Sequence, residues 1–247
     1  MSADAARRTL IFVPTYNEIT NAPVMCREIH AVGLDADVLF VDDASPDGTG
    51  AALDALKADF PRLIVHHRTG KLGIGSAHRE SIQWAYEQGY TTLVTMDGDF
   101  SHQPKDIPAL IRAAGEGDLA VGSRWVHPNS LPGWNMMRRC MTLGGHLLTK
   151  WVLRIPQDAS GAFRAYRLDR LPRALFQKAK SNDYAFLLES LFVIHRNGYQ
   201  IRELPIVLPN RIYGNSKMSA RAALRTASYV FELFAENLKN PRQFIVK

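Results

Sequence analysis

The sequence predicts an α/β fold with a mostly parallel central sheet flanked by helices. Short β-branched runs alternate with segments of helical length through the first half of the chain, and acidic, turn-rich clusters fall just after three of those runs. Further on, the apolar spacing changes from a strand pattern to the three-to-four spacing of amphipathic helices.

Thr9 to Val13, Val38 to Asp42, Leu63 to His66 and Thr92 to Met96 read as strands, with helices between them. Parallel strands joined this way keep their functional loops at their carboxyl ends. Pro14-Thr-Tyr-Asn-Glu18 follows the first strand, Asp42-Asp43-Ala-Ser-Pro-Asp-Gly-Thr49 closes the second and Asp97-Gly-Asp99 follows the fourth, so the acidic residues gather on one edge. Leu131 to Leu153 places Trp134, Met137, Met141, Leu148 and Trp151 or Val152 at helical spacing, interrupted at Gly144-Gly145, among Arg138, Arg139, Lys150 and Arg154. This is an amphipathic, cationic helix. Ser160 to Arg167 and Gln200 to Val207 read as further strands, and Ala220 to Leu238 as a helix with Ala223, Leu224, Ala227, Val230, Phe231, Phe234 and Leu238 on one face.

A chain of 247 residues, 46% hydrophobic, can bury one large core or two small ones. Thirty Lys and Arg against 24 Asp and Glu give a net charge of +6, which favours anionic partners without choosing among phosphates, nucleic acid and acidic lipid. Nucleic-acid binding has no motif to support it. The early apolar run, Thr9 to Val13, is too short for a signal peptide, and no stretch reaches the ~20 residues of a spanning helix, so membrane contact is expected to be peripheral. Cys26 and Cys140 form no CxxC pair, which fits a reducing, cytoplasmic setting. His66 and His67, adjacent on a strand, point to opposite faces and cannot share a metal.

Asp97 and Asp99 flank a glycine just past a buried strand, and hard carboxylate oxygens at such a place suit a divalent cation bridging protein and diphosphate. Alone, an Asp-x-Asp is equally a solvated turn. Asp42, at a strand end, is placed to accept from a ribose or base edge, while Ser45 to Gly48 read as a turn leading to Thr49 as a helix N-cap. Lys71-Leu-Gly-Ile-Gly-Ser-Ala-His78 matches neither phosphate-loop nor dinucleotide spacing.

In order along the chain, Val13-Pro-Thr-Tyr-Asn-Glu18, Val41-Asp-Asp-Ala-Ser-Pro-Asp-Gly-Thr49, Leu72-Gly-Ile-Gly-Ser-Ala77, Met96-Asp-Gly-Asp-Phe-Ser-His102 and Gly122-Ser-Arg124 resemble the inverting GT-A glycosyltransferases, and most of all the dolichyl-phosphate (polyprenyl-phosphate) mannose synthases. The resemblance implies a GT-A, Rossmann-like fold. It implies transfer of mannose from GDP-mannose to a polyprenyl phosphate, with Mg²⁺ or Mn²⁺. Pro14, Tyr16, Glu18 and Asp42 would hold the nucleoside, Asp97 and Gly98 would lie along ribose and diphosphate, and Asp99 would be the main metal ligand, with Asp97 and Ser101 beside it. Some members carry Gln where this chain has Ser101.

A lipid phosphate brought beside a diphosphate needs cations, and Arg can grip its oxygens bidentately. Candidates are Arg124, the Arg138-Arg139 pair, Arg164 and Arg211-Ile-Tyr-Gly-Asn-Ser-Lys217, the last reproducing the family's Arg-x-x-Gly-x-Ser-Lys with Asn210 before it in place of the usual acid. By resemblance Arg124, Arg138, Arg139, Arg211 and Lys217 would bind the acceptor phosphate, with Arg124 and Arg211 joining Asp97 and Asp99 in catalysis. Glu189 falls where the family has Glu, with a structural or a catalytic role open. His102, beside the acidic motif, is equally a ligand or a packing residue.

The division expected is a catalytic domain over 1–218, with a donor half to about 122 and an acceptor half from 123, followed by a C-terminal helix over 219–247 packed on the domain or on a partner. The helix ending at Leu153 either packs on the sheet or lies in a membrane surface. A small membrane partner subunit could dock on the last helix. Two other readings stay open: the same acceptor with UDP-glucose, and a non-catalytic sugar-nucleotide-binding protein.

Overall fold

The structure, a computed structural model, describes residues 8–208 and 220–246. Strands β1 (Thr9–Thr15), β2 (Ala36–Asp42), β3 (Leu63–His67) and β4 (Thr92–Thr95) alternate with helices α1 (Ala22–Ala31), α2 (Thr49–Ala55) and α3 (Ile74–Glu87). Then follow α4 (Ile107–Gly115), β5 (Leu119–Ser123), α5 (Met136–Val152), β6 (Arg164–Arg167), α6 (Ala174–Gln177), α7 (Ala185–Arg196), β7 (Ile201–Pro205) and α8 (Ala220–Lys239). One seven-stranded sheet has the order β3-β2-β1-β4-β6-β5-β7. Among the described strands, only β6 runs against its neighbours.

Both faces of this sheet are covered, which is why β1 and β2 read as nearly unbroken apolar runs. Successive side chains of β1 enter different cores. Leu10 and Phe12 pack with Phe186 and Leu191 on the α3 and α7 side, and Ile11 and Val13 pack with Met25 and Leu110 on the α1 and α4 side. The strand order reverses at β1, which is bracketed by β2 and β4, and the crevice outside the carboxyl ends of such strands is where this architecture binds ligands.

Several boundaries differ from the sequence expectation. β5 is a strand that the alternation alone did not mark. β6 begins at Arg164, not Ser160, because the preceding residues turn to bring Asp158 against Arg124. Gly48, left-handed at φ 86°, is the N-cap of α2, and Thr49 is its first residue, with its amide and hydroxyl both donated to Asp47. α5 starts only after Asn135, whose side chain accepts from the Arg138 amide, so Trp134 lies ahead of the helix and is buried. The helix itself is exposed along much of its length, Met136 by 75% and Trp151 by 76%. In α8, Val230 and Leu233 are buried whereas Phe231, Phe234 and Leu238 are exposed, so its apolar residues divide between two surroundings. No helix among the described residues is long and apolar enough to cross a membrane.

Candidate active site

The loop after β4 is held from several sides. The Asp97 amide donates to His102 Nδ1 at 3.0 Å, which leaves the ring proton on Nε2. His102 is buried and stacked on Phe163, with ring centroids 5.2 Å apart. Phe100 adopts a left-handed backbone at φ 60°, and both the amide and the hydroxyl of Ser101 bind Asp99 Oδ1, aiming that carboxylate. A Cβ on Gly98 would sit 3.3 Å from Val13 Cγ1, so glycine lets the loop lie on the end of β1. Asp99 is buried, while the Asp97 side chain keeps 30% of its surface exposed.

No three His, Cys, Asp or Glu side chains form a metal cage among the described residues. Two neighbouring carboxylates, one partly open, nevertheless fit a hard cation that takes its other ligands from water and substrate phosphate.

The neighbouring loops are organised in the same way. Asp42 is buried, with Oδ1 accepting from the hydroxyls of Thr15 (3.3 Å) and Ser45 (2.5 Å) and Oδ2 from the Ser45 amide (3.0 Å). Its carboxylate thus braces the two strand ends. Glu18 accepts from Asn21 Nδ2 at 2.8 Å, and its carbonyl accepts from the amides of Asn21, the N-cap of α1, and Ala22, its first residue. Tyr16 is half-buried beside Pro14 and carries Lys71 Nζ 4.0 Å above its ring. Asn17 and Ala44, like Phe100, are left-handed, at φ 56° and 54°. Each such non-glycine turn costs about 1–3 kcal/mol, and strain of this kind collects at functional sites.

Sequence reasoning missed Arg68 in this edge. Its guanidinium, 2% exposed, reaches Asp43 and Ser76 at 2.5 Å and Glu80 at 3.0 Å, tying β2 to α3. No spacing marks it, because its partners come from two other elements. Glycines 73 and 75 serve packing: a Cβ on Gly75 would lie 2.5 Å from the Asp183 carbonyl oxygen.

Across the crevice, Arg124 donates Nε and Nη2 to Asp158 at 2.8 and 2.6 Å, and Nη2 also to Ser160. Burial works against the Arg124 cation, but Asp158 outweighs it and Asp97 adds to the same effect, holding its pKa above the ordinary range. Burial likewise pushes the Asp158 carboxyl up, and Arg124 pulls it further, to below the usual range. Asp97 and Arg124 therefore share one edge of the sheet. Trp125 stacks on His146 of α5, with centroids 4.7 Å apart, tying that helix to the same edge.

The remaining cations fare differently. Arg138 lies 3.4 Å over the Trp134 ring, and Arg139 donates to the Leu131 carbonyl. Arg164 is fully buried and donates to the carbonyls of Ala159, Gly161 and Leu187, so it belongs to the core and not to an acceptor cluster. Glu189 is buried on α7 and accepts through Oε2 from the amides of Lys180 and Ser181. His102 packs on Phe163 and holds the Asp97 amide. Arg211 and Lys217 lie outside the described residues.

The profile described as Glycosyl transferase family 2 matches residues 10–172. An undecaprenyl-phosphate mannosyltransferase of Micrococcus luteus is 39% identical over 213 residues, 86% of this chain and 88% of that protein. A polyprenol monophosphomannose synthase of Mycolicibacterium smegmatis is 37% identical over 216 residues, 86% of this chain and 82% of that one. Among solved structures, glucosyl-3-phosphoglycerate synthase from Mycobacterium tuberculosis is similar at a TM-score of 0.62 and 16% identity, covering 94% of this chain and 80% of that one. The mannosyltransferase PcManGT from Pyrobaculum calidifontis, in complex with GDP-Man and Mn²⁺, is similar at 0.54 and 18%, covering 94% and 76%. These likenesses establish the GT-A fold, and the matched profile with the two relatives of near-full length establishes that the chain belongs to glycosyl transferase family 2.

Proposed function

We propose that this glycosyltransferase moves mannose from GDP-mannose to a polyprenyl phosphate with inversion at the sugar carbon. The observation that carries the reading is the shared edge of Asp97, Asp99 and Arg124: carboxylates able to serve a leaving diphosphate, opposite a cation able to serve an incoming phosphate. Lipid-phosphate mannosyl transfer is named for two relatives over most of their length, and a GDP-mannose complex is known for a protein of the same fold.

Pro14, Tyr16, Glu18 and Asp42 would frame the nucleoside, and Asp97, Gly98, Asp99 and Ser101 the diphosphate. Asp99, steadied by Ser101, with Asp97 beside it, would hold Mg²⁺ or Mn²⁺. Such a cation, when bound, neutralises charge on the departing diphosphate. Asp158 takes two of the Arg124 nitrogens and leaves Nη1 without a partner among the described residues, available to a phosphate oxygen. An acceptor phosphate is already anionic near neutral pH, so its oxygen can form the new bond to the sugar carbon while the bond to GDP breaks, with no protein base required. Arg138 and Arg139 at the start of α5, with Arg211 and Lys217, would complete the cationic side. The donor half would then run to about residue 122 and the acceptor half to 218. The exposed apolar side chains of α5 support contact with the bilayer surface.

The test is incubation of the purified chain with GDP-mannose, Mg²⁺ or Mn²⁺ and a polyprenyl phosphate, followed by mass spectrometry of the lipid. Polyprenyl-phosphate mannose is expected, and chelation should abolish it. Product from UDP-glucose but not GDP-mannose would overturn the donor assignment, and turnover undiminished by chelation the metal assignment.

A further inference from the structure

A cavity of about 380 Å³ lies away from the crevice, where α5, α7 and α8 meet. Val152, Phe192, Phe234 and Leu238 line it with apolar surface, and Arg154 and Arg196 bring positive charge to it. Neither guanidinium has an ion-pair or hydrogen-bond partner among the described residues, and both residues are exposed. Asn237, also in the lining, has a buried side-chain oxygen without a hydrogen-bond partner among the described residues. An apolar slot with two unpaired arginines and an unsatisfied amide has the polarity of an amphiphile carrying an anionic, hydrogen-bonding head.

Arg154 stands in a left-handed turn at φ 57°, directly after the Leu153 C-cap of α5. Glycine is the relaxed residue at such a helix end. Keeping Arg there places a long cationic side chain at the cavity at the expense of backbone ease.

The apolar surface continues beyond the slot. Met136, Cys140, Leu143, Leu147 and Trp151 form one exposed stripe at spacings of three and four along α5, running toward the cavity. Phe231, Phe234 and Leu238 do the same on α8. Position separates this place from the reacting centre. α7 starts at the loop packed on Gly73 and Gly75, beside the crevice, and its 12 residues carry the chain ~18 Å along the sheet before Arg196. An acceptor phosphate poised for reaction cannot occupy both places.

We propose that this cavity binds the phosphate headgroup of an anionic glycerophospholipid of the bilayer, with Arg154 and Arg196 on the phosphate, Asn237 on the glycerol or headgroup hydroxyls, and the acyl chain along Phe234 and Leu238. The site rests on the membrane-surface reading of α5 and is independent of the donor and acceptor assignments. It would set the depth and rotation of the enzyme on the membrane, which the stripes alone leave free.

The test is co-sedimentation of the full chain, without acceptor lipid, with vesicles of phosphatidylcholine or of equimolar phosphatidylcholine and phosphatidylglycerol. Three proteins are compared: wild type, Arg154→Gly/Arg196→Gln, and Arg27→Gln/Arg112→Gln, which loses the same charge from α1 and α4 on the other face of the sheet. Glycine at position 154 relaxes the turn, so folding is retained. Two headgroup contacts predict that the cavity variant loses about tenfold or more of its affinity for phosphatidylglycerol vesicles, while the control stays within about twofold of wild type. Equal losses in both variants, or none in the cavity variant, would overturn the headgroup site and leave peripheral binding standing. Wild type that sediments with neither vesicle overturns both.

Discussion

The edge where β1, β2 and β4 end and the flank formed by α5 and α8 are built by opposite rules. At the edge nearly every polar side chain is committed: Asp42 braces two strand ends, Ser101 aims Asp99, His102 fixes Asp97, and Asp158 holds Arg124. On the flank, large apolar side chains face solvent, and one helix end is left-handed at an arginine. On the proposed function the edge is the reacting centre, which needs geometry set in advance. On the same proposal the flank meets the bilayer, which calls for apolar area and charge.

The largest expected contrast is chemical. Asp99→Ala should reduce donor turnover by about a thousandfold or more, in the range lost when a transition-state charge partner is removed, while the denaturation midpoint hardly moves. Comparable turnover in this variant would make the acidic edge no more functional than the flank.

Asp158→Ala should cost about 3–5 kcal/mol in chemical denaturation, because it leaves the buried Arg124 cation uncompensated. The pair also has a pH signature. The folded pKa of Asp158 is lowered from 3.8, so its stabilisation is complete above that value and disappears as pH falls through the folded one. Asp158→Asn should lack this acid limb; an unchanged acid limb would mean that the pair is not the group titrating.

His78 offers a subtler probe of the core beneath the edge. Its ring is fully buried between Phe12 and Phe186, neither nitrogen has a hydrogen-bond partner among the described residues, and burial, aided by Arg164, pushes its pKa down from 6.5 to about 3. The unfolded chain therefore takes up the proton first, and native stability should decline as pH drops from about 6.5 toward 3. His78→Leu should flatten that decline and change stability at neutral pH by no more than about 1 kcal/mol. Denaturation midpoints through the acid range decide it, and an equally steep fall in the variant would remove His78 from the account.

The smallest folding effect belongs to the flank. Trp151 is 76% exposed, so Trp151→Ser should alter stability by less than about 0.5 kcal/mol. Vesicle binding should weaken several-fold in the same variant. A large thermal shift instead would show that the stripe packs against protein and that the two regions are alike.

Legibility follows the same division. The parallel strands announce themselves because residues buried on both faces must be apolar and their ends must turn, as around Val13, Asp42 and Asp97. β5 escaped because its Gly122 and Ser123 resemble a loop. Asp158 escaped because nothing near it in the chain explains a buried acid; its partner is 34 residues earlier. Arg124, Arg138 and Arg164 look alike in the sequence. One is paired with buried Asp158, one lies over an indole and one is sealed among carbonyls.

By itself, then, the sequence determined the alternating architecture, the acidic edge and its resemblance to lipid-phosphate sugar transferases, because all three are written in local periodicity and in motifs a few residues long. Only the tertiary structure decided which charges are committed and which remain available, that α5 turns its apolar stripe outward, and that a cationic slot opens at its end. Those outcomes depend on what the fold places opposite each side chain, and the energy of a charge or an apolar surface is set by that neighbour, not by the residue alone.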